Sequence, residues 1–467
     1  MKLTGFIDSH LHMLGIGYYS SLIDLSEAQS IKEIQTIVKD NMSNNIIIGK
    51  GWNQDQFKEN RIITKHDLNK ISKDIPIVLT RVCGHVLVAN DKMLKIAGIN
   101  ESTPQINGGN FSFSDGLFSE KAIHLIKNKI PKPTKSNIKE YFIKANQILL
   151  ENGITSIASD DFSTFDIPYT EIIAILKELY EKDLLQVKLT EQVNLPKNQL
   201  EDYLKRGYAN KNITDKFKLG PLKILADGSL GGRTAYLSEE YTDDKDNYGI
   251  NTYTDKELFD LVHLADKNNM DSVIHTIGDQ ATQQAINAIQ KSLEITKRKN
   301  HKHALIHAQL TRKDQVKQMK ILNIGAIVQP IFINTDIKII EKRLGKRKTN
   351  SYLFKTMEEH IPLGFSTDAP IEPVNPFYNI YTAMTYKSIK YPELSSFNPN
   401  QCFSLKQSLK AYTDNNKRFV YNNFNKSDYI IIDRDIYNLD AEKIKDIIVL
   451  KTYINGKEVY SQGKKTL

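Results

Sequence analysis

Eight short apolar runs recur along this chain, most of them closing on a polar or ionisable residue and most separated by a helix-like pattern. They are Gly5–His10, Gly153–Ala158, Gln186–Thr190, Leu222–Ala226, Ser272–His275, Ala304–His307, Gly325–Val328 and Pro362–Ser366. Runs this short and this apolar suit strands covered on both faces. The stretches Leu258–Asn268, Ala281–Ile295 and Thr311–Leu322 place their apolar residues at helical spacing. Strand and helix in alternation specify parallel βα units. Eight units predict an α/β chain folded as a (β/α)₈ TIM-like barrel, although the pattern alone also admits an open sheet.

With 467 residues the length would ordinarily suggest about three domains, yet one barrel with insertions can exceed roughly 400 residues. The expected division is a barrel over 1–40 and 151–420, an inserted subdomain over 41–150 and a small β domain over 421–467. The insertion follows from the long gap after the first run. That gap holds its own strand-like pieces, Asn45–Gly49 and Ile75–Thr80, and turns such as Ser102-Thr103-Pro104 and Asn107-Gly108-Gly109. Loops after barrel strands project over the mouth, so the insertion should lie there. In the tail, Asp428–Asp433 and Ile447–Ile454 read as strands, and Asn455-Gly456 marks a hairpin before Lys457–Tyr460.

Composition removes several function classes. Hydrophobic residues make up 40% and charged ones 25%, an ordinary globular balance with no sign of global disorder. The net charge is +8, but tracts such as Lys342-Arg343 and Lys346-Arg347-Lys348 are short and interleave with acidic residues rather than aromatics. A solvated surface is expected, not a nucleic-acid partner. Two cysteines, Cys83 and Cys402, exclude a disulfide framework and suit a reducing cytosol. The opening Met1-Lys2-Leu3-Thr4-Gly5-Phe6-Ile7-Asp8 is no signal peptide, and no apolar run approaches the roughly 18 residues that span a bilayer. A cytoplasmic protein with no membrane partner is the expectation.

The chemistry sits at the run ends. His10-Leu11-His12 puts two imidazoles two residues apart, on one face of a strand, where both can aim at one point. His275 closes the fifth run, His307 the sixth, and Asp368 follows the eighth. In a parallel barrel all strand ends of one kind lie on one face, so four histidines and a carboxylate converge there. Neutral imidazole and carboxylate are ordinary ligands for divalent metals. Only 11 histidines occur in the chain, so four unrelated core histidines at strand ends are the weaker reading. Lys223 lies inside the apolar run Leu222–Ala226. Such a lysine is costly unless neutralised or paired. It either captures CO₂ as a carbamate able to bridge two cations, or snorkels to a salt bridge.

These residues, in the order Gly5-Phe6-Ile7-Asp8-Ser9-His10-Leu11-His12, Lys223, His275, His307 and Asp368, resemble the amidohydrolase superfamily. Finer motifs are similar to its amidohydrolase family 3 branch, which includes N-substituted formamide deformylases. They are Gly51-Trp52-Asn53-Gln54, Arg81-Val82-Cys83-Gly84-His85, Asp227-Gly228-Ser229-Leu230-Gly231-Gly232-Arg233-Thr234-Ala235, His275-Thr276-Ile277-Gly278-Asp279, His307-Ala308-Gln309 and Ser366-Thr367-Asp368-Ala369-Pro370. The resemblance runs nearly the whole chain. It implies a hydrolase of carbon–nitrogen bonds outside peptides, acting on a small molecule such as an N-formyl or N-acyl amine or a cyclic amide. It also implies one or two divalent ions, zinc foremost.

By the same resemblance His10, His12, His275 and His307 are ligands. Asp368 is both ligand and the base that takes the attacking water's proton, and Lys223 holds the bridging position. Arg81, His85, Asp227 and Arg233 are the candidates for holding substrate polar groups, while Asp227-Gly228 and Gly231-Gly232 also suit a plain tight turn. Two departures from the family pattern stand out. Met1 lies only nine residues before His10, where relatives carry several strands, and the link Tyr421–Ser427 lacks a glycine-rich turn. The expected small domain is therefore an N-terminally truncated β-sandwich with an open edge, for which a homodimer is one form of cover. Two other functions stay open: a catalytically inactive binding or regulatory protein on the same fold, and a hydrolase of an ester or lactone-type bond.

Overall fold

The computed structural model describes residues 1–42, 46–81, 84–106, 109–422, 424 and 426–463. Parts of four sequence features, at Asn45, at Val82 and Cys83, at Asn107 and Gly108, and at Asn423 and Asn425, lie outside the described residues. The chain divides into two compact units, Met1–Gly17 with Lys135–Leu467, and Tyr18–Thr134.

The first unit is built on eight parallel strands in chain order: Phe6–Leu11, Ile154–Ser159, Lys188–Val193, Phe217–Leu225, Ser272–Thr276, Ala304–His307, Gly325–Val328 and Leu363–Phe365. All eight overlap the apolar runs of the sequence, the fourth starting five residues earlier, at Phe217 instead of Leu222. The first three are buried at every residue, as strands covered on both faces require. Helices pack outside them, among them Tyr169–Glu181, Asp255–Asp266 and Asp279–Thr296. The middle one starts with a capping box, Thr254 and Glu257 each satisfying the other's backbone N–H.

The last strand and the loop after it meet the first through side-chain and backbone hydrogen bonds. Ser9 Oγ donates to Phe365 O at 3.0 Å, Asp368 N donates to His10 O at 3.0 Å, and Asn416 Nδ2 donates to both Ile7 O and Phe365 O. Asp8 takes the Thr367 N–H at 3.0 Å and its hydroxyl at 2.7 Å. Burial pushes the Asp8 carboxyl up to about 7 in spite of these donors.

A four-stranded antiparallel sheet completes this unit, in the order Lys2–Thr4, Tyr429–Ile432, Val449–Ile454, Lys457–Ser461. The N-terminal residues thus pair with the tail, Leu3 opposite Ile430. The central strand is not apolar-buried throughout: Ile430 and Ile432 join the barrel's core while Tyr429 and Ile431 stay half-exposed. Asn455 and Gly456, at φ 50° and 78°, form the hairpin turn, the backbone that an Asn-Gly pair adopts most readily. A buried ion pair, Lys188 Nζ to Asp428 Oδ2 at 2.6 Å, joins the third barrel strand to this sheet.

The second unit carries a six-stranded mixed sheet, ordered Ile23–Asp24, Ile47–Trp52, Ile77–Arg81, Val86–Ala89, Leu117–Glu120, Gly109–Ser112. Its limits, 18 and 134, differ from the 41–150 read from the sequence. Leu25, Ile31, Ile34 and Val38 pack with Trp52 and Leu79 in its core. The helix Lys135–Glu151, by contrast, buries Ile138, Phe142 and Leu149 in the barrel's core.

Candidate metal centre

The first barrel strand slips register against the second between Asp8 and Leu11, a bulge that re-aims the side chains at its end. His10 and His12 emerge there with ring centroids 5.2 Å apart. Both Nε2 atoms lie 3.2 Å from Asp368 Oδ1. His307 stands 5.9 Å from His10 and 4.5 Å from His275, ring to ring. Lys223 Nζ lies 3.1 Å from His10 Nε2. His10, His307, Asp368 and Lys223 are all buried. His307, Ala308 and Asp368 hold left-handed backbone at φ 71°, 45° and 58°. Each such residue costs on the order of 1–3 kcal/mol, and clusters of them mark functional sites.

Hydrogen bonds fix which nitrogen of each ring is bare. Gln192 donates its amide to Ser9 O at 3.1 Å, so its Oε1 faces His10 Nδ1 at 2.6 Å. Gln329 donates to Ser366 Oγ and presents Oε1 to His307 Nδ1 at 2.7 Å. Asp160 O faces His12 Nδ1 at 3.0 Å. Each Nδ1 therefore carries hydrogen; the neutral rings of His10 and His307 keep the Nε2 lone pair, while His12 turns its Nε2 to Asp368 Oδ1 at 3.2 Å.

Electrostatics follow from this packing. Burial, then the Lys223 charge, lowers His10 to about 4, and burial and Lys223 do the same to His275. Burial likewise holds His307 well below its ordinary value. Burial would lower His12 too, but the Asp368 hydrogen bond and charge outweigh it and raise His12 to about 9. Burial would raise Asp368, yet the two histidines hold it well below the usual carboxylate range. Burial lowers Lys223, which has no carboxylate within 4 Å among the described residues.

One ligand atom from each of His10, His307 and Asp368 falls within 4.8 Å of the others. Two bare imidazole nitrogens turned toward a carboxylate, in a buried site, form a donor set that fits a divalent cation such as zinc. His12 joins through Asp368. His275 is turned differently: its Nε2 lies 2.9 Å from Gly228 O and 3.4 Å from Asp227 Oδ1.

The four expected substrate-holding residues are engaged within the fold. Asp227 spends its oxygens on the backbone N–H groups of Tyr236, Ile277 and Gly278, tying two loops together, and burial raises its carboxyl to about 7. Arg233 pairs with Asp243 at 3.0 Å. In the second unit Arg81 binds Gln54, Asn53 and Asp55, and His85 pairs with Glu120 at 3.2 Å on an exposed surface. Gln192 and Gln329 were not foreseen. The available signal was a neutral amide near the end of an apolar run, which ordinary strand patterning does not distinguish from a surface residue.

The sequence profile described as the amidohydrolase family matches residues 3–460. The chain belongs to the amidohydrolase family. Among relatives, this amidohydrolase is 30% identical to the putative amidohydrolase YtcJ of Bacillus subtilis, over 99% of this chain and 89% of that protein. It is 20% identical to the N-substituted formamide deformylase of Arthrobacter pascens, over 97% and 87%. An uncharacterised metal-dependent hydrolase of Pyrococcus horikoshii has a solved structure that superposes with a TM-score of 0.78 at 29% identity, covering 94% of this chain and 87% of that one.

Proposed function

We propose that this amidohydrolase cleaves carbon–nitrogen bonds outside peptides in a small-molecule substrate, an N-formyl or N-acyl amine or a cyclic amide. One or two divalent ions, zinc foremost, would be held by His10, His12, His275, His307 and Asp368, with a carbamylated Lys223 as the bridge. The observation that carries the reading is one buried cluster at strand ends, in which His10, His307 and Asp368 each bring a ligand atom within 4.8 Å of the others while Gln192 and Gln329 hold the Nδ1 atoms of the two rings. The N-substituted formamide deformylase relative supports the bond class.

A divalent ion in such a site lowers the pKa of water and polarises a carbonyl. The chain supplies the rest. Asp368 takes the attacking water's proton and returns it to the departing nitrogen. Gln192 and Gln329 keep His10 and His307 in one tautomer, and the Asp160 carbonyl orients the His12 ring. Phe332 stacks on the His307 ring with centroids 5.5 Å apart. No helix among the described residues is long and apolar enough to cross a membrane. Together with two cysteines in 467 residues, this supports a cytoplasmic setting. A panel of N-formyl amines, N-acyl amines, cyclic amides and lactones, assayed on zinc-loaded protein, tests the bond class. Turnover of an amide is expected, and turnover of lactones alone would refute it.

A further inference from the structure

At the opposite end of the barrel, among the loops leading into its fourth, fifth and sixth strands, lies a cavity of about 450 Å³. Arg298, Lys299, Lys302, Asn300, Asp271 and Tyr421 are in its walls. Asp271 and His275 stand four residues apart along one strand direction, about 13 Å at strand rise, so this cavity is not the metal centre.

Its acid is already engaged. Asp271 Oδ1 accepts from Arg298 Nη2 and from Lys302 N at 2.8 Å, and its Oδ2 accepts from Tyr421 OH at 2.7 Å. Asp266 holds the other arm of Arg298 at 2.7 Å. The other two cations of its walls, Lys299 and Lys302, have no carboxylate within 4 Å among the described residues, nor do Lys218 and Arg418, whose charges act on Lys302 from outside the lining. Lys302 Nζ and Lys218 Nζ instead approach the Tyr421 ring, at 4.8 and 5.8 Å from its centroid. Arg418 donates to Asn323 O at 2.9 Å, and its Nε is buried without a partner. Burial pushes the Lys302 ammonium down; the Asp271 charge opposes this, and Arg418 and Lys218 push it down again. Half-buried like charges around one ring repel, and an anion in the cavity relieves that repulsion.

We propose that this cavity binds a small phosphorylated molecule, its phosphate held by the ammonium groups of Lys299 and Lys302 beside Arg298, the rest of it along Tyr421. The volume is of the order of small-molecule sites, roughly 300–1,000 Å³. A phosphate dianion offers several acceptor oxygens to ammonium and guanidinium groups at once. Arg298, Lys299 and Lys302 gather in one concavity with a single aromatic ring, not along a stripe as a nucleic-acid backbone would need.

The test is calorimetric titration and thermal unfolding with inorganic phosphate, pyrophosphate and AMP, against sodium chloride at matched ionic strength. Saturable binding of AMP is expected. It should weaken about tenfold or more in Lys299→Ala and in Lys302→Gln, since each loses one charged hydrogen bond. Lys299 is exposed, so Lys299→Ala should unfold at the wild-type temperature without ligand. Binding should persist in His10→Ala/His12→Ala, which separates this site from the metal centre. Equal shifts with sodium chloride, unchanged affinity in both lysine variants, loss of binding in the double histidine variant, or binding of duplex DNA alone would each overturn the proposal.

Discussion

His303 and His307 bracket the sixth barrel strand and are both buried, yet they are wired in opposite senses. At His303 the ring Nδ1 accepts the Ser272 N–H at 2.9 Å, so Nε2 carries the hydrogen and gives it to Asp266 Oδ1 at 3.2 Å. At His307 the Nδ1 carries the hydrogen, gives it to Gln329 at 2.7 Å, and leaves Nε2 bare. The first ring is fully spent within the fold. Its carboxylate partner is spent too, on the Ser292 and Thr296 hydroxyls and on Arg298. The second ring keeps a lone pair in a buried cluster with His10 and Asp368. A buried histidine is therefore read as ligand or as core by what its other nitrogen meets, not by burial.

Substitutions should separate the two wirings. His307→Ala is expected to lose bound metal and reduce hydrolysis to background, whereas His303→Ala should keep its metal; elemental analysis and the substrate assay check both. Gln329→Ala should weaken metal affinity roughly 10–100-fold by freeing the His307 tautomer, read by competition with a chelator. His303→Ala should destabilise the fold by about 1–3 kcal/mol in urea unfolding of metal-free protein, because Asp266 and the Ser272 N–H lose a buried partner.

The smallest effect concerns acid. Burial would raise Asp266, but His303 and the Thr296 and Ser292 hydroxyls hold it below the ordinary carboxylate range. A carboxyl lowered by folding adds stability above its unfolded value, about 4, and that contribution fades as pH falls below it. Asp266→Asn should thus be less stable than wild type at pH 7, and the gap should narrow at pH 3. A gap that stays constant would show that Asp266 acts through shape alone.

Much of the fold was legible because strands buried on both faces leave continuous apolar runs, and the histidines of the centre sit at the ends of those runs. The boundary of the inserted unit was not legible. Lys135–Glu151 and Ile31–Asp40 are both amphipathic helices, and the spacing of apolar residues does not say which core an apolar face will enter. The glutamines were hidden for a related reason. Gln192 and Gln329 matter through the tautomer they impose, and that depends on Ser9 and Ser366, far away in sequence. The segment before Gly5 carries no strand pattern of its own, yet Lys2–Thr4 pair along Tyr429–Ile432.

The most direct test is the metal content of three purified proteins, wild type, His10→Ala/His12→Ala and His303→Ala, measured by elemental mass spectrometry after dialysis against zinc. The account predicts one or two zinc ions per chain in the wild type and in His303→Ala, and none in the double variant. Equal metal in all three, or a wild type that takes up none, would contradict it.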